Sequence, residues 1–202
     1  MYAEFNDILK DILEAEEFSI DFDSLFKPYS IEEIIDIRLK LGECTKNPDG
    51  SYSCKDDVDL SGMGLEKLPV RFKEVIGNFD CSNNKFTTLE GSPEYVSEFF
   101  WCSHNKLTTL KGAPRKVRGG FICSDNELVS LEGAPRYVGF EFLCLRNRLR
   151  SLEGAPEYVG GWFDCSDNKL TSLKGIGRVR WGIICRNNPV PEDELLKTIG
   201  GR

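Results

Sequence analysis

The sequence has one histidine, His104, in 202 residues. It stands two residues after Cys102, and a Cys/His dyad needs an accessible thiol within reach of its base. Strand parity turns Cys102 inward and leaves His104 at the strand exit, so nucleophilic catalysis is not expected. No apolar run approaches the roughly 20 residues that a membrane-spanning helix needs. The N-terminal MYAEFNDILKDILEAEEF interrupts its apolar residues with charge, where a signal peptide carries a continuous apolar stretch. Walker-type and dinucleotide-binding glycine patterns are missing, as is the calcium-binding nonapeptide. Clustered Lys and Arg are missing too. Residues 1–57 hold 15 acids against 6 bases, and residues 58–202 hold 18 against 20. An acidic head on a near-neutral body is the wrong balance for a phosphate backbone. These absences lead us to expect a cytoplasmic, non-enzymatic protein without cofactor, metal, nucleic-acid or membrane partner.

Cysteine is plentiful, but its spacing is unlike that of a metal site. Cys81, Cys102, Cys123, Cys144 and Cys165 are each 21 residues apart, and Cys185 follows after 20. Four zinc ligands must converge on one ion and come in close pairs. A constant long period instead marks one cysteine per structural repeat.

Alignment on cysteine exposes the other columns. Phe79, Phe100, Phe121, Phe142, Phe163 and Ile183 stand two residues before it, and Asn84, Asn105, Asn126, Asn147, Asn168 and Asn188 three after it. Phe86, Leu107, Leu128, Leu149, Leu170 and Val190 come five after it. Each full repeat then has a Leu, a Gly two residues on, and in four repeats a Pro ahead of Val96, Val117, Val138 or Val159. A degenerate copy, Val58, Leu60, Leu65, Leu68 and Pro69, precedes them, giving about seven rungs. Phe-x-Cys reads as a short strand whose alternate residues point inward. A single rung cannot bury that face alone, so neighbours stack into a shared core. Cysteine serves there as a small hydrophobe. Asparagine, donor and acceptor at once, is suited to satisfy backbone groups where the chain turns.

These columns over residues 58–190 resemble the leucine-rich-repeat consensus LxxLxLxxNxL, with Phe and Cys in two of the usual Leu places. The wording CSDNKLTSLKGIG, with LEGAPEYVGG before it, is similar to the short repeats of small proteins of tailed bacteriophages and some bacteria. The resemblance implies an α/β leucine-rich-repeat solenoid, with about seven short parallel strands forming a concave sheet. It also implies a phage-encoded protein that binds or inhibits a bacterial host protein, such as a defence factor, in the host cytoplasm.

The ends are expected to be caps, since an open solenoid otherwise exposes its core. Residues 1–57 form the N-terminal region, 58–190 the solenoid and 191–202 a short capping helix opened by Pro191. AEFNDILKDILEAEE and SIEEIIDIRLKLG show helical spacing, the second with Ser30 and Glu33 as a capping box and Gly42 as its stop. In CTKNPDGSYSC, Asp49-Gly50 predicts a hairpin against the first rung. Cys44 and Cys54 are expected there as free thiols, because a cytosolic setting disfavours a disulfide.

Between the inward residues of each strand lie the outward ones. The column just before cysteine reads Asp59, Asp80, Trp101, Ile122, Leu143, Asp164, Ile184, and the column three before it adds Phe99, Glu141 and Trp162. Leu145 and Arg146 follow Cys144. Stacked about 4.8 Å apart, these residues make an apolar centre flanked by acids, with the aromatics and Arg of an interface core. Phe99, Trp101, Ile122, Glu141, Leu143, Leu145, Arg146, Trp162 and Asp164 are therefore the candidate partner-binding residues. A homo-oligomeric contact through the same patch, in a structural or self-associating protein, is the alternative.

Overall fold

The computed structural model of the chain describes residues 31–192 and 194. The chain divides into two compact units, Met1–Ile34 and Ile35–Arg202, so nearly all that is described belongs to the second. The helix expected over AEFNDILKDILEAEE, the capping residue Ser30 and most of the helix expected after Pro191 lie outside the described residues. Glu192 and Glu194 are helical.

Helix α1 (Ile31–Leu41) ends where Gly42 was expected to stop it. Ile35 and Leu39 join the buried core. Strands β1 (Cys44–Lys46) and β2 (Tyr52–Cys54) form the expected antiparallel hairpin around Gly50, which adopts a positive φ of 80°. Its cysteines are not free. Cys44 and Cys54 stand directly opposite one another and are joined as a disulfide. The free-thiol expectation rested on compartment alone, whereas the antiparallel register sets the two β-carbons near enough for their sulfurs to bond.

From here the chain winds through paired strands. The Phe-x-Cys segments give β3 (Val58–Asp59), β5 (Phe79–Asp80), β7 (Phe100–Trp101), β9 (Phe121–Ile122), β11 (Phe142–Leu143), β13 (Trp162–Asp164) and β15 (Gly182–Ile184). The segments after the Pro column give β4 (Phe72–Val75), β6 (Tyr95–Val96), β8 (Lys116–Val117), β10 (Tyr137–Val138), β12 (Tyr158–Val159) and β14 (Arg178–Val179). The odd-numbered strands from β3 onward pair in parallel as one seven-stranded sheet. The even-numbered ones make an eight-stranded sheet with the hairpin at its end.

The expected α/β class is thereby corrected: this is a mostly-β solenoid with a 21-residue repeat and two parallel sheets, and α1 is the one full helix among the described residues. The return side is strand because Tyr-Val and Lys-Val, with β-branched Val at each second position, follow a proline that cannot donate to a helix. Each turn before it passes through glycine with positive φ, between 82° and 97° from Gly91 to Gly175. A β-carbon on Gly112 would lie 2.5 Å from the backbone of Leu89 in the rung below. The repeat can therefore stack at this spacing only with glycine there.

Between the sheets lies one continuous core. Phe79, Phe100, Phe121, Phe142 and Phe163 stack ring on ring with centroids 5.1–5.5 Å apart. The valines of the opposite sheet and two leucine columns close it, nearly all fully buried. Cysteine fills the narrow inner layer as expected, and Cys81 and Cys102 donate to carbonyls of the next rung, Trp101 and Ile122. The asparagine ladder is also as expected. Asn126 accepts the Leu107 amide at 3.0 Å and donates to the carbonyls of Cys102, Cys123 and Ser124. Asn105, Asn147 and Asn168 repeat this pattern.

Candidate functional site

The outer face of the seven-stranded sheet is set by parity. With Phe100, Phe121 and Phe142 fully buried, the residues after them point away from the core. Register then places Asp80 beside Trp101, Trp101 beside Ile122, Ile122 beside Leu143, and Leu143 beside Asp164. All five are half-buried, as one expects of side chains lying against a sheet with solvent above.

One rung edge carries more aromatic surface than the counted columns predict. The Phe99 ring stacks on Trp101 at 5.4 Å and meets Phe140 edge-on at 6.2 Å. Phe140 touches Trp181 at 5.1 Å, and Trp181 touches Trp162 at 6.4 Å. Five aromatic side chains from four rungs thus form one connected cluster, with Trp162 and Trp181 exposed by 43% and 49%. Glycines make room for it. A β-carbon on Gly120 would sit 2.8 Å from the Phe99 ring, and one on Gly182 the same distance from the Trp162 indole.

Phe140 and Trp181 were missed because they stand four residues before their cysteines, outside the alternating strand columns. Their signal was an aromatic in a column that otherwise reads Gly77, Glu98, Gly119 and Gly161. Glu141 of the expected set is half-buried beside Gly120.

Leu145 and Arg146 lie apart from this cluster, at the strand exit. Arg146 forks onto Asp125 of the preceding rung, with hydrogen bonds of 2.6 and 3.0 Å. Asp125 in turn lies 3.8 Å from the Nε2 of His104. Asn83, His104, Asp125, Arg146, Asp167 and Asn187 all take positive φ near 55°. That column favours Asn, Asp and His because their short side chains tolerate the left-handed conformation.

The repeat cysteines have the chemistry of packing groups. Burial pushes the Cys81, Cys102, Cys123 and Cys144 thiols well above their ordinary range, and raises Cys165 to about 12. Cys102 faces the core while His104 sits exposed beside Asp125. Among the described residues, no group of three or more His, Cys, Asp or Glu side chains is placed to hold a metal ion. No described helix is long and apolar enough to cross a membrane.

The molecule is thus defined as a β-solenoid whose seven-stranded sheet presents an aromatic strip bordered by carboxylates. No protein-family model matches the chain, and comparison with curated proteins finds no match.

Proposed function

We propose that the chain is a non-enzymatic protein-binding module whose partner lies against the outer face of the seven-stranded sheet. The observation that carries this reading is the connected cluster of Phe99, Trp101, Phe140, Trp162 and Trp181 beside Ile122 and Leu143. Solvated strands favour polar side chains at such positions, while interface cores are enriched in Trp, Tyr and Phe. The repeat wording resembles that of short leucine-rich repeats from tailed bacteriophages and bacteria. That likeness supports a bacterial host protein as the partner, bound or inhibited in the host cytoplasm.

A homotypic contact through the same face is disfavoured by its charge. The column Asp80, Trp101, Ile122, Leu143, Asp164 is symmetric about Ile122 in the sign of its ends. A two-fold axis parallel to the sheet and above Ile122, along or across the strands, sets carboxylate against carboxylate. An isologous dimer needs a self-complementary patch, and like charges facing each other disfavour it.

The test is affinity capture from the native cell, comparing wild type with a Trp101→Ala, Leu143→Glu double variant, alongside size-exclusion chromatography of both. Truncating a central aromatic commonly costs about 2–4 kcal/mol of binding. Loss of a defined partner with unchanged circular dichroism is the expected result. Full recovery of that partner would move the site elsewhere, and a dimer peak lost in the variant would establish self-association.

A further inference from the structure

We propose that the segment bound on this face is cationic: an extended stretch of the partner with two Arg or Lys residues flanking apolar ones. The proposal rests on the protein-binding reading of the face and adds the partner's chemistry.

The two outward columns of the seven-stranded sheet contain Asp57, Asp59, Asp80, Glu141 and Asp164, and no Lys or Arg. Elsewhere the repeat often matches its carboxylates with a base one rung away, as in Asp125 with Arg146, Glu127 with Arg148 and Glu90 with Lys111. On this face only Asp59 forms an ion pair, with Arg38 of helix α1, while Arg146, paired with Asp125, acts on Asp164 only as a more distant charge. Among the described residues, Asp80, Glu141 and Asp164 have no ion-pair partner.

Asp59 shows what the others are built to take. Its Oδ1 accepts the amide of Ser61 at 2.9 Å, which fixes the carboxylate, and its Oδ2 takes the Arg38 guanidinium at 2.6 Å. Asp80 and Asp164 repeat the first half of that arrangement. Each Oδ1 accepts the amide of the serine two residues on, at 2.8 Å from Ser82 and 2.9 Å from Ser166. Neither has a guanidinium on the other oxygen. The column therefore presents two oriented carboxylates, each holding one oxygen ready for a cation, at either end of Trp101, Ile122 and Leu143.

Spacing and chemistry then narrow the occupant. Asp80 and Asp164 are four rungs apart, about 19 Å at 4.8 Å per rung. An extended chain running across the strands covers that distance in about five or six residues. A guanidinium on Asp80 also lies next to the Trp101 indole, where a cation gains from the ring face. Arginine suits both contacts better than lysine, since its planar fork pairs with carboxylates and stacks on aromatics.

The experiment selects a phage-displayed random dodecapeptide library on the full chain, then measures recovered peptides by fluorescence anisotropy. Expected are peptides with two Arg or Lys residues about five or six apart around apolar residues. Their affinity falls with added salt, by about tenfold or more in Asp80→Lys or Asp164→Lys, and is lost in Trp101→Ala. Asp80→Asn, which keeps the Ser82 acceptor and removes only charge, should weaken binding without altering the melting curve. Neutral or acidic peptides that depend on Trp101, or affinities indifferent to charge reversal, would overturn the cationic assignment and leave the face reading standing. A selection yielding no peptide that depends on Trp101 or Leu143 would overturn both.

Discussion

The Oε1 of Glu194 accepts the backbone amide of Leu173 at 2.8 Å and the hydroxyl of Ser172 at 2.7 Å. In earlier rungs the corresponding amide, from Leu89, Leu110 or Leu131, donates to a backbone carbonyl of the next rung. At Leu173 a side-chain carboxylate takes that carbonyl's place, closing the leucine column with an acceptor borrowed from the C-terminal segment. Glu194→Ala should therefore destabilise by about 1.5–3 kcal/mol, the scale for hydrogen bonds to a charged group. Glu194→Gln keeps an acceptor and should cost less. Thermal melts and amide exchange at Leu173 check this, and unaltered Leu173 exchange in the alanine variant would remove the capping role.

Neighbouring positions on one turn should respond very differently. Asn126→Ala leaves the Leu107 amide without its acceptor and takes one of two donors from the carbonyls of Cys102, Cys123 and Ser124, which keep Asn105, Asn147 and the His104 amide, at a cost on the order of 1–3 kcal/mol. Asp125 is half-buried with φ of 56° and an exposed Arg146 partner. Asp125→Ala should lose about 1 kcal/mol, mainly through the left-handed backbone, and Asp125→Gly less because glycine adopts that backbone freely. Denaturant titration of the three variants should give that order.

The thiols should separate into three groups. Five repeat cysteines are buried, with raised pKa values that leave little thiolate at neutral pH. Iodoacetamide should leave them intact in the native protein and modify all of them after unfolding. Cys185 is only half-buried and should be the first to react. Reducing the Cys44–Cys54 bond, which spans 10 residues, should lower the unfolding midpoint by the equivalent of about 2–3 kcal/mol. Mass spectrometry of the alkylated native protein and a melt with reductant test these outcomes together.

Acid should loosen the N-terminal end of the repeat. Burial disfavours the Asp59 carboxylate, but hydrogen bonds from Ser61 and the charge of Arg38 outweigh it and hold the carboxyl below its ordinary value. A group whose folded pKa is depressed contributes stability above its unfolded value, near 3.9 for Asp, and loses it as pH falls through the folded one. The melting difference between wild type and Asp59→Asn should thus be present at neutral pH. It should close as the pH drops below about 4. A difference independent of pH would mean that Asp59 acts through shape alone.

Much of this architecture was legible because the repeat averages out local ambiguity. Cysteine at a 21-residue period, Phe two before it and Asn three after it assign the strand, its inward face and its turn, and the same parity exposes Trp101, Ile122 and Leu143. The return segments were harder to read. Tyr-Val is too short for a period of two to be told from anything else, and only pairing with identical segments above and below makes it a sheet. The columns place Arg146 at the strand exit beside the patch, but its fork onto Asp125 is a pairing between rungs that no single column reveals.

Repetition of chemistry along the chain was enough to define the rung, its core and its outward columns, because each rung must satisfy the same burial and hydrogen-bonding demands as its neighbours. The ends and the site depended on contacts that no period encodes. The Cys44–Cys54 bond follows from hairpin register, and the Glu194 cap from a side chain reaching back 21 residues to Leu173. The aromatic cluster joins Phe99, Phe140 and Trp181 from three different rungs through space left by Gly120 and its neighbours. Stacking brings Phe140 against both Phe99 and Trp181 although each stands about 40 positions away in the chain, and only the packed solenoid decides which of them meet.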